Sequence, residues 1–305
     1  MGPWYHGGWA RSDGDSLGEV RFGAKTGVYY RESIEAPFFL RHLKEKEDPG
    51  LAEATMFETG TNRWRRFDEW PPKGKRLAFH LNAGGALSTD PPKEEGSDEF
   101  PSDPGKPVPF IDQTGFGMTR EYMVADQRFA SSRPDVLVYE TEPLAEDLSV
   151  AGPVEVRLFV TTTGTDADWV VKLVDVYPDD FPNPDPNPKG VQMGGYQQLV
   201  RGEPFRGRYR HGFDKPQPFK PGEMDEIEFR MPDVCHSFRR GHRVMVQVQS
   251  TWFPLVDRNP QSFVDIASAK ESDFKKATHR VRGSFAVRWM AKTSFFKIRA
   301  RCLSF

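Results

Sequence analysis

One pattern constrains this chain more than any other. Val154, Val156, Leu158 and Val160 alternate with Glu155, Arg157 and Phe159. Side chains of an extended strand point to opposite faces with a period of two, so such a run buries one face and shows the other. The pattern recurs at Leu77, Phe79 and Leu81, at Ile227, Phe229 and Met231, and at Val244, Val246 and Val248. Residues 136–139 and 169–177 add mostly apolar runs of strand length. The 27 glycines and 26 prolines interrupt the chain too often for long helices and supply the turns between strands. Strands of this kind predict a mainly β chain, a β-sandwich of jelly-roll type.

The first 72 residues read differently. Ile34, Phe38, Phe39 and Leu43 share one face of a 3.6-residue period, which predicts a helix over 33–44 with Ser33 as N-cap and Pro37 in the first turn. Asp48-Pro49-Gly50 is the expected stop, and a short strand is expected over 54–58. Trp64, Phe67 and Trp70 form an aromatic cluster that suits a domain boundary better than a sugar cleft. The Pro-, Asp-, Glu- and Gly-rich stretch 89–107 predicts an exposed loop.

Composition excludes several function classes. With 42 basic against 44 acidic side chains, the chain lacks the basic surplus that tracks phosphates, so nucleic acid is not expected as a partner. No stretch approaches the roughly 18 apolar residues of a membrane span. Cys235 and Cys302 allow one bridge at most and set no compartment. The acidic, Pro-rich loop 179–188 lacks calcium-loop spacing and reads as a solvated turn. His42, His80, His211, His236, His242 and His279 show no metal-ligand spacing and read as structural or surface residues, so no metal and no cofactor is expected.

Three segments carry chemistry beyond periodicity. The first is Gly2-Pro3-Trp4-Tyr5-His6. The second is Asp135-Val136-Leu137-Val138-Tyr139-Glu140-Thr141-Glu142-Pro143-Leu144 with Gly152-Pro153-Val154. The third runs from Gly241-His242-Arg243-Val244 to Trp252-Phe253-Pro254-Leu255-Val256-Asp257-Arg258-Asn259-Pro260. In that order they resemble the cocaine esterase and α-amino-acid ester hydrolase (CocE/NonD) family, grouped with X-prolyl dipeptidyl peptidases. The resemblance runs from residue 1 to about 281. It implies that residues 1–72 are a C-terminal remnant of an α/β-hydrolase domain, and that residues 73–281 are the family's jelly-roll, galactose-binding-like β-sandwich. It also makes His6 the base of a catalytic triad. In α/β-hydrolases the triad follows the order Ser, Asp, His, with the His on a loop before a terminal helix, as His6 precedes the helix expected at 33–44.

The nucleophile, the triad acid and the oxyanion donors lie upstream of the His motif in the family, so none is expected here. Gly14-Asp15-Ser16-Leu17-Gly18 fits the Gly-x-Ser-x-Gly spacing, but no apolar strand precedes it and no helix start follows. Asp13 and Asp15 read as loop carboxylates. Trp4, Tyr5, Trp252, Phe253, Asp257 and Arg258 are expected to dock the sandwich on the hydrolase domain and border its pocket; a self-contained turn with an Asp257–Arg258 pair is the plain alternative. Residues 282–305 depart from the family, with basic residues at Arg282, Arg288, Lys292, Lys297, Arg299 and Arg301 and no acid. They are expected to be a frame-shifted or foreign tail replacing the last strand, which would leave its neighbour with an open edge; a genuine last strand and a basic membrane-surface segment are the competing readings.

The reading is the C-terminal part of a serine acyl hydrolase acting on small-molecule esters or amides or on peptides, truncated and inactive by itself. The alternatives are a stand-alone binding or assembly module, for carbohydrate or as a homo-oligomer interface, and a split enzyme whose nucleophile sits on another chain.

Overall fold

A computed structural model of the chain describes residues 1–92, 96–113 and 119–290. The N-terminal part opens with α1 (Gly8–Arg11) and the two-residue strands β1 (Ser16–Leu17) and β2 (Val20–Arg21). Then come α2 (Thr26–Tyr30), a π-helical turn (Arg31–Glu35) and α3 (Ala36–Lys44), which run on without a gap. The expected helix therefore starts earlier, and Ser33 lies inside it rather than capping it. Pro37 explains the π turn. Its ring clashes with the carbonyl four residues back, that of Ser33, and it offers no N–H; a wider turn over Arg31–Glu35 relieves both. The helix ends at Lys44, before the expected stop, because Glu45 takes a left-handed conformation (φ 53°) and its N–H bonds the Leu40 carbonyl.

β3 (Ala54–Glu58) pairs antiparallel with β4 (Arg63–Phe67). Phe57 joins Leu17, Val20, Phe22, Val124, Met193 and Tyr196 in a small core that fixes the N-terminal part to the sandwich. Trp70 acts likewise, its indole donating to Asp233 at 2.6 Å.

The sandwich is built from β5 (Lys75–Asn82), β6 (Ala86–Ser88), β7 (Asp98–Ser102), β8 (Val136–Glu140), β9 (Leu148–Thr162), β10 (Asp168–Val176), β11 (Gln197–Arg206), β12 (Asp225–Phe238), β13 (Arg243–Gln249) and β14 (Ala277–Trp289). Their order is β11-β10-β13-β8-β6-β5-β14-β9-β12, with β7 also on β14. The sheet curls until its ends nearly meet: Phe205 of β11 stacks on Phe229 of β12 at 4.9 Å. The chain is thus mainly β and jelly-roll-like.

The alternation in β9 orients as read, with Val154, Val156, Leu158 and Val160 buried and Glu155 and Arg157 exposed. β13 departs from it, because Met245, Gln247 and Gln249 are buried too. Its second face is covered by Phe110, Ile111 and Trp252, whose loops the alternation could not reveal. The stretch 89–107 is not wholly an exposed loop. β7 lies within it, paired with β14, and buries Phe100 and Ser102.

The expected departure at residue 282 does not appear in the backbone. β14 crosses that position and pairs with β5, β7 and β9. Val281, Phe285 and Val287 are buried, and Phe285 stacks on Phe79 at 5.0 Å. Gly283 lies so close to β9 that a Cβ would collide with the Arg157 carbonyl. Arg280 pairs outward with Glu99 at 2.7 Å. Basic residues hid an ordinary period of two. Residues 291–305, the rest of the expected tail, lie outside the described residues.

Candidate functional site

The segment before α1 is laid against β3. The Met1 carbonyl accepts from Phe57 N at 2.9 Å, and the Met1 amine donates to the Thr55 carbonyl at 2.6 Å. Trp4 turns inward. Its indole donates to Thr26 Oγ1 at 2.8 Å and packs among Trp9, Tyr30 and Trp64. Tyr5 faces the Arg120 guanidinium at 4.6 Å. Gly8 N donates to the Tyr5 carbonyl at 2.8 Å across a turn that needs a left-handed residue, supplied by Gly7 (φ 77°). His6 is lifted to the apex of that turn. It is exposed, its ring steadied edge-on by Trp9 at 6.2 Å.

Among the described residues no carboxylate is bonded to His6. Asp13 pairs with Lys25 at 2.8 Å, and Asp15 accepts from Ser16 Oγ at 3.3 Å. Ser16 lies in the β1–β2 hairpin, exposed, without the strand-turn-helix of a nucleophile elbow. The local arrangement is an accessible imidazole on a tight turn.

Trp4 and Trp252 are brought together. Both line one cavity of about 570 Å³ between the first residues, β3, β11 and the start of the residue 252–256 loop. His6, Tyr5, Phe253, Asp257 and Arg258 do not line it. Trp252 is buried, with the Lys172 ammonium 5.4 Å from its ring centre, whereas Phe253 is partly exposed. Asp257 and Arg258 do not form the self-contained pair of the plain alternative. Asp257 pairs with Arg206 at 2.6 Å, and Arg206 also holds Asp168 at 3.2 Å. Burial pushes Asp168 up to about 6, partly offset by Arg206 and by Asn259, which donates to it at 2.8 Å. Arg258 donates to the Pro104 carbonyl at 2.9 Å and lies over Phe274.

A buried polar cluster on β10 has no counterpart in the spacing of its residues. Asp175 on β10 bonds His236 Nε2 at 3.1 Å and His242 Nδ1 at 2.8 Å. His236 Nδ1 in turn bonds Thr59 Oγ1 at 2.7 Å. Burial opposes ionisation of Asp175, but its two imidazole partners outweigh that, and its pKa lies below the ordinary value. These residues come from four places in the chain, so no local signal announces them; Lys172 and Asp175, two charges in an otherwise apolar run, are the visible oddities. Lys172, equally buried, donates to Gln127 Oε1 at 2.9 Å, and burial lowers its pKa to about 7. Among the described residues no group of three or more His, Cys, Asp or Glu is placed to hold a metal. Cys235 is a free thiol pushed up to about 12 by burial, and among the described residues no helix is long and apolar enough to cross a membrane.

Residues 47–284 match the family described as X-Pro dipeptidyl-peptidase C-terminal non-catalytic domain. The cocaine esterase of Rhodococcus sp. (strain MB1 Bresler) is 32% identical over 92% of this chain and 48% of its own length. The crystal structure of an aminopeptidase from a marine sediment archaeon, Thaumarchaeota archaeon, superposes with a TM-score of 0.88 at 41% identity, covering 95% of this chain and 48% of that one. An α-amino acid ester hydrolase superposes with a TM-score of 0.87 at 38% identity, covering 95% of this chain and 49% of that one. The chain therefore spans about half the length of the relatives it matches. The resemblance drawn from three short motifs is borne out. With a jelly-roll-like sheet, three motifs in family order and a matching segment that fills most of its length, this chain belongs to the X-Pro dipeptidyl-peptidase C-terminal domain family, in the CocE/NonD group of hydrolases.

Proposed function

We propose that this chain is the C-terminal half of a serine acyl hydrolase, with the segment that carries His6 and α3 belonging to the hydrolase domain and His6 serving as its general base. The observation that carries the reading is α3. None of its residues is buried, and Phe38, Phe39, Leu40 and Leu43 are 45–70% exposed. An apolar helix face of that kind marks an interaction surface. Covering four half-exposed side chains would contribute on the order of 4 kcal/mol. Relatives twice as long offer a natural cover, the hydrolase half that precedes the sandwich.

In that assembly an upstream serine attacks the acyl carbon of an ester, amide or peptide bond. His6 accepts the serine proton, returns it to the leaving group, and then activates water against the acyl-enzyme. Its exposed position at the apex of a turn suits it to a nucleophile on a neighbouring surface. An upstream carboxylate would orient the ring, a role that Asp13 is not free to take while it pairs with Lys25. The family's sandwich segment, 47–284, starts after His6, as expected if His6 belongs to the catalytic part.

The purified chain should not hydrolyse p-nitrophenyl acetate above the rate of free imidazole. Turnover abolished by His6→Ala would overturn the reading, because the nucleophile would then reside here. Activity gained on mixing with a separately made hydrolase half, and lost with His6→Ala, would establish His6 as the base.

A further inference from the structure

The cavity shared by Trp4 and Trp252 has no part in the chemistry above. At about 570 Å³ it falls in the usual range of small-molecule sites. Its walls are mostly apolar, with Met56, Phe57 and Leu199 beside the two indoles. Two charged residues of β11, Arg201 and Glu203, also line it; two apart on the strand, they share the face opposite the one on which Trp252 packs over Gly202.

Arg201 is the unusual one. One of its Nη groups donates to the Asp233 carbonyl at 2.7 Å, but its Nε is out of contact with water and has no hydrogen-bond partner. The Asp233 carboxylate is already committed to Trp70 at 2.6 Å and Arg230 at 2.9 Å. Glu203 attracts Arg201 through charge but forms no ion pair with it among the described residues. Burial lowers the Arg201 pKa and raises that of Glu203, so neither fully relieves the other. A guanidinium held in a largely apolar wall without a paired anion is costly, and a bound carboxylate would remove that cost.

We propose that this cavity binds a small carboxylate with an apolar, ring-sized body. Arg201 takes the carboxylate through its remaining N–H groups, a planar match that an ammonium lacks. The apolar body lies against the cavity's apolar wall on the Arg201 side of β11, where displaced water supplies the rest of the affinity. Glu203 opposes the ligand's charge and keeps the affinity moderate. The proposal does not depend on the hydrolase reading, since no acyl transfer is involved.

The test is calorimetric titration of the whole chain with phenylacetate and with its neutral isostere phenylacetamide. Phenylacetate should bind saturably, and phenylacetamide about tenfold more weakly or worse. Arg201→Gln should lose about tenfold or more in phenylacetate affinity, Arg201→Lys should lose less, and Glu203→Gln should tighten binding. Circular dichroism identifies any variant that has failed to fold; the isostere comparison on the unaltered chain decides the question without variants. Equal affinity for the acid and the amide, or no saturable binding of either, overturns the proposal, as does a folded Arg201→Gln chain that binds phenylacetate unchanged.

Discussion

Thr59 Oγ1 lies 2.7 Å from His236 Nδ1, and this contact ties the turn between β3 and β4 to β12 of the sandwich. Backbone bonds flank it: Thr59 N donates to Cys235 O at 3.1 Å, and Ser237 N donates to Thr59 O at 2.9 Å. Behind it, Asp175 holds His236 and His242 together. The N-terminal part is thus fastened to a buried, charged node rather than to apolar packing alone.

Asp175→Asn should cost about 3 kcal/mol, because it removes the charge that both imidazoles are arranged around. Thr59→Val should cost about 1 kcal/mol, the worth of a single hydrogen bond. Urea denaturation of the two variants checks both values. The folded-state pKa of Asp175 is depressed, so the stability it contributes is present above its unfolded pKa of about 3.9 and is lost as pH falls below that. Asp175→Asn should flatten the acid limb of the unfolding curve in that window.

His279 sets a second, separate pH dependence. It is buried against Phe100 and Trp169, and neither ring nitrogen has a hydrogen-bond partner. Burial pushes its pKa from 6.5 down to about 3. Below pH 6.5 the unfolded chain takes a proton that the folded chain refuses. Stability should therefore fall by about 1.4 kcal/mol per pH unit until the folded-state value is reached. His279→Phe should remove that slope, read as unfolding midpoints in buffers spanning the range.

Phe285→Ala should destabilise the chain by about 3–5 kcal/mol, the usual cost of deleting a buried phenyl ring. The ring stacks on Phe79 at 5.0 Å with an interplanar angle of 7°. A dispensable tail would give no change in the unfolding midpoint. Gly283→Ala should also destabilise, through the collision with the Arg157 carbonyl.

Leu43→Asp with Phe39→Asp should leave the stability of the isolated chain within about 0.5 kcal/mol, because both side chains already face solvent. The same pair should weaken association with a separately made hydrolase half. Sedimentation of the unaltered chain reports self-association through α3, which the double variant should also abolish.

Much of the architecture was open to reading from short-range patterns. A period of two exposes which face of β9 is buried, since orientation along a strand is a local property. The motif around His6 and the Trp252–Pro260 run identified the family, because residue types at fixed spacing survive without the fold. β14 was harder: Arg280, Arg282 and Arg288 masked an apolar face at Val281, Phe285 and Val287 that only its two neighbouring strands make evident. Tertiary structure alone decided which distant residues meet. Asp175, His236, His242 and Thr59 come from separate segments, and Trp4 and Trp252 are joined at one cavity across most of the chain. Strand order and the curl of the sheet create those meetings, and both arise from packing over the whole molecule, which no window of sequence contains.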